Sequence, residues 1–182
     1  AELPDWVVEA LQAGGMDDDT LLTLGRAMQH PAPLDLRVNT LKTRREDALA
    51  ALQAAGISAE ATPLSPFGLR VKGKPALTKM PLFTSGQIEV QDEGSQLLGL
   101  LLAPRRGEMV VDFCAGAGGK TLLLGAMMAS TGRLYAFDIS EKRLANLKPR
   151  LARSGLSNVH PQLLASENDS RIKRLAGKID RV

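Results

Sequence analysis

The chain has 182 residues, 44% of them hydrophobic, which is enough apolar surface for a packed core and enough length for one large domain or two small ones. Its single cysteine excludes an internal disulfide or a cysteine zinc cluster, the two histidines are far apart in sequence, and no apolar run approaches the ~20 residues that cross a bilayer. The net charge of +3 hides an asymmetry: residues 1–35 hold seven acids (Glu2, Asp5, Glu9, Asp17, Asp18, Asp19, Asp35) against Arg26, a balance of −6 that leaves +9 for the remainder. These features lead us to expect a cytoplasmic globular protein with no membrane segment and no metal. A chain that opens on Ala1 is also expected to begin inside a longer protein.

Residues 4–13 carry Trp6, Val7, Ala10 and Leu11 at helical spacing, and Asp19-Thr20 lead into a second helix through Met28. The prolines of His30-Pro31-Ala32-Pro33 end this helical arm, residues 1–33. A strand follows at 34–38. Thr43-Arg44-Arg45-Glu46 has the capping-box spacing ahead of Leu49, Leu52 and Ala55, and Gly56 provides the helix stop. Strands at 57–62 and 69–72 complete a small α+β unit over residues 34–85, with a β-α-β-β order that fits a ferredoxin-like or RNA-recognition-like topology. Arg37, Asn39 and Lys42 alternate with Val38 and Leu41. Such a polar face either meets RNA or is an ordinary exposed strand face.

Residues 86–182 read as a second domain. A strand at 88–91 leads into a helix at 93–102 with Asp92 as its N-cap, closed by Pro104 and Gly107. Strand 109–113, helix 119–129, strand 133–138, helix 141–154 and strand 159–164 then alternate, the pattern of right-handed β-α-β crossovers building a parallel sheet. Pro149 is expected to kink its helix, and Gly155 ends it. From Glu141 onward ten Lys and Arg face four acids, a local +6 suited to a phosphate backbone. Lys142, Arg143, Lys148, Arg150 and Arg153 lie on one helix, which either carries that contact or is simply solvated. Aromatic residues make up only 3% of the chain, which argues against a stacking module for single strands.

The segment from Val110 to Thr121 runs a hydrophobic strand into Asp112-Phe113-Cys114-Ala115-Gly116-Ala117-Gly118-Gly119-Lys120-Thr121, a glycine-rich turn that opens a helix. Glycines there let a ligand approach the backbone, and the free amides of a helix N-terminus face its carboxylate or phosphate. A P-loop would need glycine where Cys114 stands, and a dinucleotide loop would need its third glycine where Thr121 stands. The spacing that fits is strand, Asp112, three residues, then Gly116-x-Gly118, the first motif of Rossmann-like S-adenosylmethionine-dependent methyltransferases. Asp138, at the tip of the next strand and 20 positions beyond Gly118, is placed where a ribose-binding carboxylate belongs. Two other readings stay open: an NAD-binding Rossmann oxidoreductase, which Asp138 would serve equally well, and a non-catalytic RNA-binding protein with a vestigial loop.

This loop, preceded by Val90-Gln91-Asp92-Glu93-Gly94-Ser95-Gln96 and, further upstream, Leu36-Arg37-Val38-Asn39-Thr40-Leu41-Lys42, resembles the Sun/Nop/RsmB family of RNA cytosine-5 methyltransferases from about Pro33 to Val182. One departure is visible, since much of that family has Ala-Pro or Ser-Pro where Gly116-Ala117 stand here. The resemblance implies a class I methyltransferase sheet, ribosomal RNA as partner, and S-adenosylmethionine held by Cys114, Ala115, Gly116, Ala117, Gly118, Gly119, Lys120, Asp138 and Glu167. Glu167 would lie near the adenine amino group, and the alternative is that Asn168 and Asp169 cap the next helix. It further implies a cysteine thiolate that adds to carbon 6 of the base. Cys114 lies in the cofactor loop, and 179–182 resemble the start of a fourth strand, so a sheet cut after about its third strand, no catalytic residue and no turnover are expected.

Overall fold

The computed structural model describes residues 3–182 and falls into two units, 1–33 and 34–182; the first two residues of the expected arm lie outside the described part. The first unit holds α1 (Asp5–Ala13) and α2 (Asp18–Met28). Asp17, two residues earlier than the sequence suggested, caps α2 by accepting from the Thr20 amide at 2.7 Å.

The second unit begins with an antiparallel sheet of β1 (Leu34–Val38), β2 (Ala59–Ala61), β3 (Gly68–Val71) and β4 (Ile88–Val90) in the order β2-β3-β1-β4. Helix α3 (Arg45–Ala54) connects β1 to β2, and the four-residue α4 (Pro81–Thr84) precedes β4. The order is that of a ferredoxin-like sheet with its second helix shortened. β4 pairs with β1 through Leu36–Val90 and Val38–Ile88. It therefore belongs to this sheet, where the sequence had placed it in the second domain. A three-residue strand with two apolar members does not announce its partner. The capping box also fails: Arg44 precedes α3 without a side-chain cap, because Thr43 is held in a turn by its amide to the Asn39 carbonyl.

Leu36, Val38, Leu52, Leu69, Val71 and Ile88 form the core under α3. The opposite face of β1 is buried as well, with Asp35, Arg37 and Asn39 all at most 4% exposed. The cause is α5 (Glu93–Leu102), which follows β4 and crosses that face. Asp35 holds Arg70 through two bonds of 2.8 and 2.9 Å, Gln96 donates to the Leu36 and Gln91 carbonyls, and Glu93 accepts from the Leu64 and Ser65 amides.

Beyond α5, a parallel sheet runs β5 (Met109–Asp112), β6 (Arg133–Asp138), β7 (Val159–Leu163) in that order, with α6 (Gly119–Met127) and α7 (Glu141–Ser154) as crossovers. Leu122, Leu124, Leu144 and Leu147 from these helices, with Met128 at the C-cap of α6, pack on Val110, Leu134 and Ala136. The other face, with Val111 and Phe137, meets Ile172 of the short α8 (Ser170–Lys173) together with Leu175 and Ile179. On the free edge of β5, Arg181 forms a parallel bridge to Val110, with bonds of 2.9 Å from Val111 N to Arg181 O and from Asp180 N to Met109 O. The last residues thus run beside β5 as a strand would. Among the described residues no helix is long and apolar enough to cross a membrane.

Candidate functional site

The glycine loop lies at the C-terminal ends of the parallel strands, between β5 and α6, where open α/β sheets bind ligands. It is tied to β6 by two bonds: the Ala115 amide to the Phe137 carbonyl at 2.8 Å and the Gly116 amide to Asp138 Oδ2 at 2.8 Å. Asp138 is 6% exposed, and its Oδ1 accepts from the Ser140 amide at 2.8 Å. Asp112 accepts from the Thr121 hydroxyl at 2.7 Å and so joins the strand end to the first turn of α6. The Gly119 and Lys120 amides open the helix without an intrahelical acceptor, and Lys120 is exposed beside them.

Gly118 has a packing task that its motif does not show. Its φ is +83°, and a Cβ there would stand 2.1 Å from Leu147 Cδ1. The missing side chain therefore lets α7 pack against the loop, a close approach of the kind that the third glycine of a dinucleotide loop would provide. Cys114 is exposed at the start of the loop. Glu167 is exposed beyond β7, while Asp169 caps α8 by accepting from the Arg171 amide at 2.9 Å. That amide and the Ala165 amide hold its carboxyl down at about 2.

The three residues expected to face RNA are placed elsewhere. Arg37 is 1% exposed and donates to Gln91 Oε1 at 2.6 Å. Asn39 Nδ2 donates to the carbonyls of Gly86 and Ser154 at 2.9 and 2.8 Å, and Lys42 Nζ to those of Ser85 and Arg153. Ser154 and Arg153 end α7, so Asn39 and Lys42 satisfy the orphan carbonyls of that helix and set a cation at its negative end. The alternation was read correctly as a polar face, but α5 and α7 bury Arg37 and Asn39, while Lys42 stays exposed with its ammonium on the end of α7.

Two of the basic residues of α7 also turn inward. Glu89 of β4, 4% exposed, binds Arg150 Nε at 3.0 Å and Arg153 Nη2 at 2.7 Å. Arg150 Nη1 continues to the Ala117 carbonyl of the glycine loop at 2.7 Å, and Arg153 stacks over the Phe83 ring at 4.5 Å. Lys142, Arg143 and Lys148 remain exposed. Sequence reasoning missed Glu89 and Gln91, for which the available signal was a lone carboxylate between Ile88 and Val90 in a strand otherwise reading as core.

A glycine loop at the end of the first strand, a carboxylate at the tip of the second and a ferredoxin-like sheet ahead of them define a Rossmann-like methyltransferase. A family described as Methyltr_RsmF/B-like, ferredoxin-like domain, matches residues 3–78, and one described as 16S rRNA methyltransferase RsmB/F matches residues 99–182. The chain belongs to the RsmB/F methyltransferase family. It is 34% identical over 157 residues to the probable ribosomal RNA small subunit methyltransferase B of Synechocystis, taking in 86% of this chain and 35% of that one. To the 28S rRNA (cytosine-C(5))-methyltransferase of Mus musculus it is 37% identical over 151 residues, 73% of this chain and 32% of the relative. The crystal structure of a methyltransferase homolog protein from Pyrococcus horikoshii superposes with a TM-score of 0.70 at 36% identity, covering 75% of this chain and 45% of that one. The chain spans about a third of the length of these curated relatives.

Proposed function

We propose that this chain is the cofactor-binding and ferredoxin-like portion of an S-adenosylmethionine-dependent cytosine-5 methyltransferase acting on ribosomal RNA. The observation that carries the reading is the loop from Cys114 to Lys120, which offers the unpaired amides of Gly119 and Lys120 at one end and the Asp138 carboxylate at the other. An amino-acid carboxylate suits the first end and a ribose diol the second. When bound, S-adenosylmethionine supplies a sulfonium methyl group to an electron-rich carbon. Glu167 is proposed to lie at the adenine end, and the exposed Lys142, Arg143 and Lys148 to meet the RNA backbone.

Attack by carbon 5 of cytosine requires a thiolate on carbon 6, and the chain's one cysteine, Cys114, belongs to the cofactor loop. The chain alone is therefore proposed to bind cofactor and transfer no methyl group. Isothermal titration with S-adenosylmethionine and with NAD tests the reading. Binding of the first alone is the expected result. Binding of NAD alone would mark an oxidoreductase site, and binding of neither a vestigial loop. Methyl transfer to ribosomal RNA that disappears in Cys114→Ser would make Cys114 a nucleophile.

A further inference from the structure

Gln91 lies immediately after β4, 7% exposed, on the buried side of the ferredoxin-like sheet. Its side-chain oxygen accepts from Arg37 Nε at 2.6 Å. Arginine carries donors and no acceptor, so this contact fixes which way the amide points: oxygen toward Arg37, NH2 away from it. Burial pushes the Arg37 guanidinium down to about 10, and it stays charged at neutral pH. The NH2 group lies 3.6 Å from where a Cβ on Gly119 would stand, and among the described residues nothing accepts from it. A donor on a side chain that is 7% exposed as a whole thus faces the opening turn of α6, where among the described residues the Gly119 and Lys120 amides are unpaired and the Lys120 ammonium is exposed. Each of these groups is a donor, and a carboxylate is the anion of matching size.

We propose that Gln91 is a cofactor-contacting residue that donates to the amino-acid carboxylate of S-adenosylmethionine, and that Arg37 is the positioning residue that orients it. The proposal rests on the S-adenosylmethionine reading of the loop. It explains why two neighbouring strands of the ferredoxin-like sheet bring together an arginine–glutamine pair aimed at the other half of the chain. A hydrophobic pair would fill the same space without presenting a donor there.

The test is titration of the full chain with two ligands, S-adenosylmethionine and methylthioadenosine; the second keeps the nucleoside and the sulfur and lacks the carboxylate. Gln91→Met keeps the length and removes the donor, Gln91→Glu sets a carboxylate against the carboxylate, and Arg37→Met frees the amide to turn. Gln91→Met should weaken S-adenosylmethionine roughly tenfold and Gln91→Glu more, with Arg37→Met smaller in effect, while methylthioadenosine binding stays within about twofold in all three. Retained methylthioadenosine binding also shows that each variant is folded. Equal losses for both ligands would mean a structural role for Gln91 and overturn the proposal, as would unchanged affinity for both. A wild-type chain that binds neither ligand would overturn the reading of the loop and this assignment with it.

Discussion

Asp138 is engaged on both oxygens before any ligand arrives, by the Gly116 amide on one and the Ser140 amide on the other. A carboxylate oxygen has two lone pairs, so a ribose hydroxyl can add to each without displacing these bonds. Replacement by alanine removes the proposed ribose acceptor and strands two backbone donors together. Charge-assisted bonds are worth about 1.5–3 kcal/mol, so Asp138→Ala should weaken S-adenosylmethionine roughly 10- to 100-fold and also lower the melting temperature. Asp138→Asn keeps one acceptor oxygen and should recover part of the stability but little of the affinity; unchanged affinity in calorimetry would remove Asp138 from the site. Gly118 shows how a motif residue can be found by sequence while one of the reasons for it stays hidden. The spacing located it, but the atom it must avoid, Leu147 Cδ1, is 29 positions away and invisible to a motif. Gly118→Ala should therefore act on the fold first, costing about 2–4 kcal/mol through the clash and the positive φ. Gly118→Ala with Leu147→Ala should recover only part of that in urea unfolding, since the backbone strain remains.

At the scale of elements, the C-terminal turn of α7 is where the ferredoxin-like sheet and the methyltransferase sheet are joined. Asn39 and Lys42 cap its carbonyls, Glu89 gathers Arg150 and Arg153, and Gly86 leaves room for the Arg153 carbonyl, which a Cβ there would approach to 2.1 Å. Asn39→Ala strands two buried carbonyls and should cost about 1–3 kcal/mol, measured by denaturant midpoint. RNA affinity should change no more than the loss of folded protein explains, because the side chain has no exposed surface to offer. Glu89 is nearly enclosed, while Arg150 and Arg153 keep roughly a fifth of their side chains exposed, 19% and 21%. Removing the carboxylate leaves two guanidiniums that can still reach water, so Glu89→Gln should cost about 1–3 kcal/mol, below the value for a fully enclosed pair. It should also loosen the Ala117 peptide, read as weaker cofactor binding that is not additive with Arg150→Ala. The longer helices and most strands were legible in the sequence, since periodicity and the caps Asp92 and Gly155 are local signals, whereas the four-residue α4 carries too short a pattern to be read. What covers each face was not. The bond from Asn39 to Ser154 spans 115 positions, and a polar strand face reads identically whether solvent or another layer lies over it.

For the molecule as a whole, stability depends on carboxylates held in their charged form. Hydrogen bonds to Arg70 lower Asp35, those to Ser95 lower Asp92, and Asp169 and Glu108 both fall to about 2. In each case the folded state binds its proton less readily than the unfolded chain, so stability is present above the ordinary carboxylate range and lost as pH falls through the folded values. Glu108 isolates the effect. Its oxygens accept from Arg181 Nε and Nη2 at 2.7 and 2.9 Å, and Arg181 Nη1 reaches the Leu102 carbonyl at 3.0 Å, so the pair fastens the bridging segment beside β5 to the end of α5. The carboxyl falls from its ordinary 4.5 to about 2, chiefly through the Arg181 side chain. Glu108→Gln keeps the shape and removes the charge. Its melting temperature should lie below that of the parent chain by a constant margin at neutral pH. The margin should shrink as pH drops below 4.5 and vanish near 2, where the parent's Glu108 is itself protonated. A margin unchanged down to that pH would show that the Arg181 contact contributes through shape alone, and that charge does not hold the segment against β5.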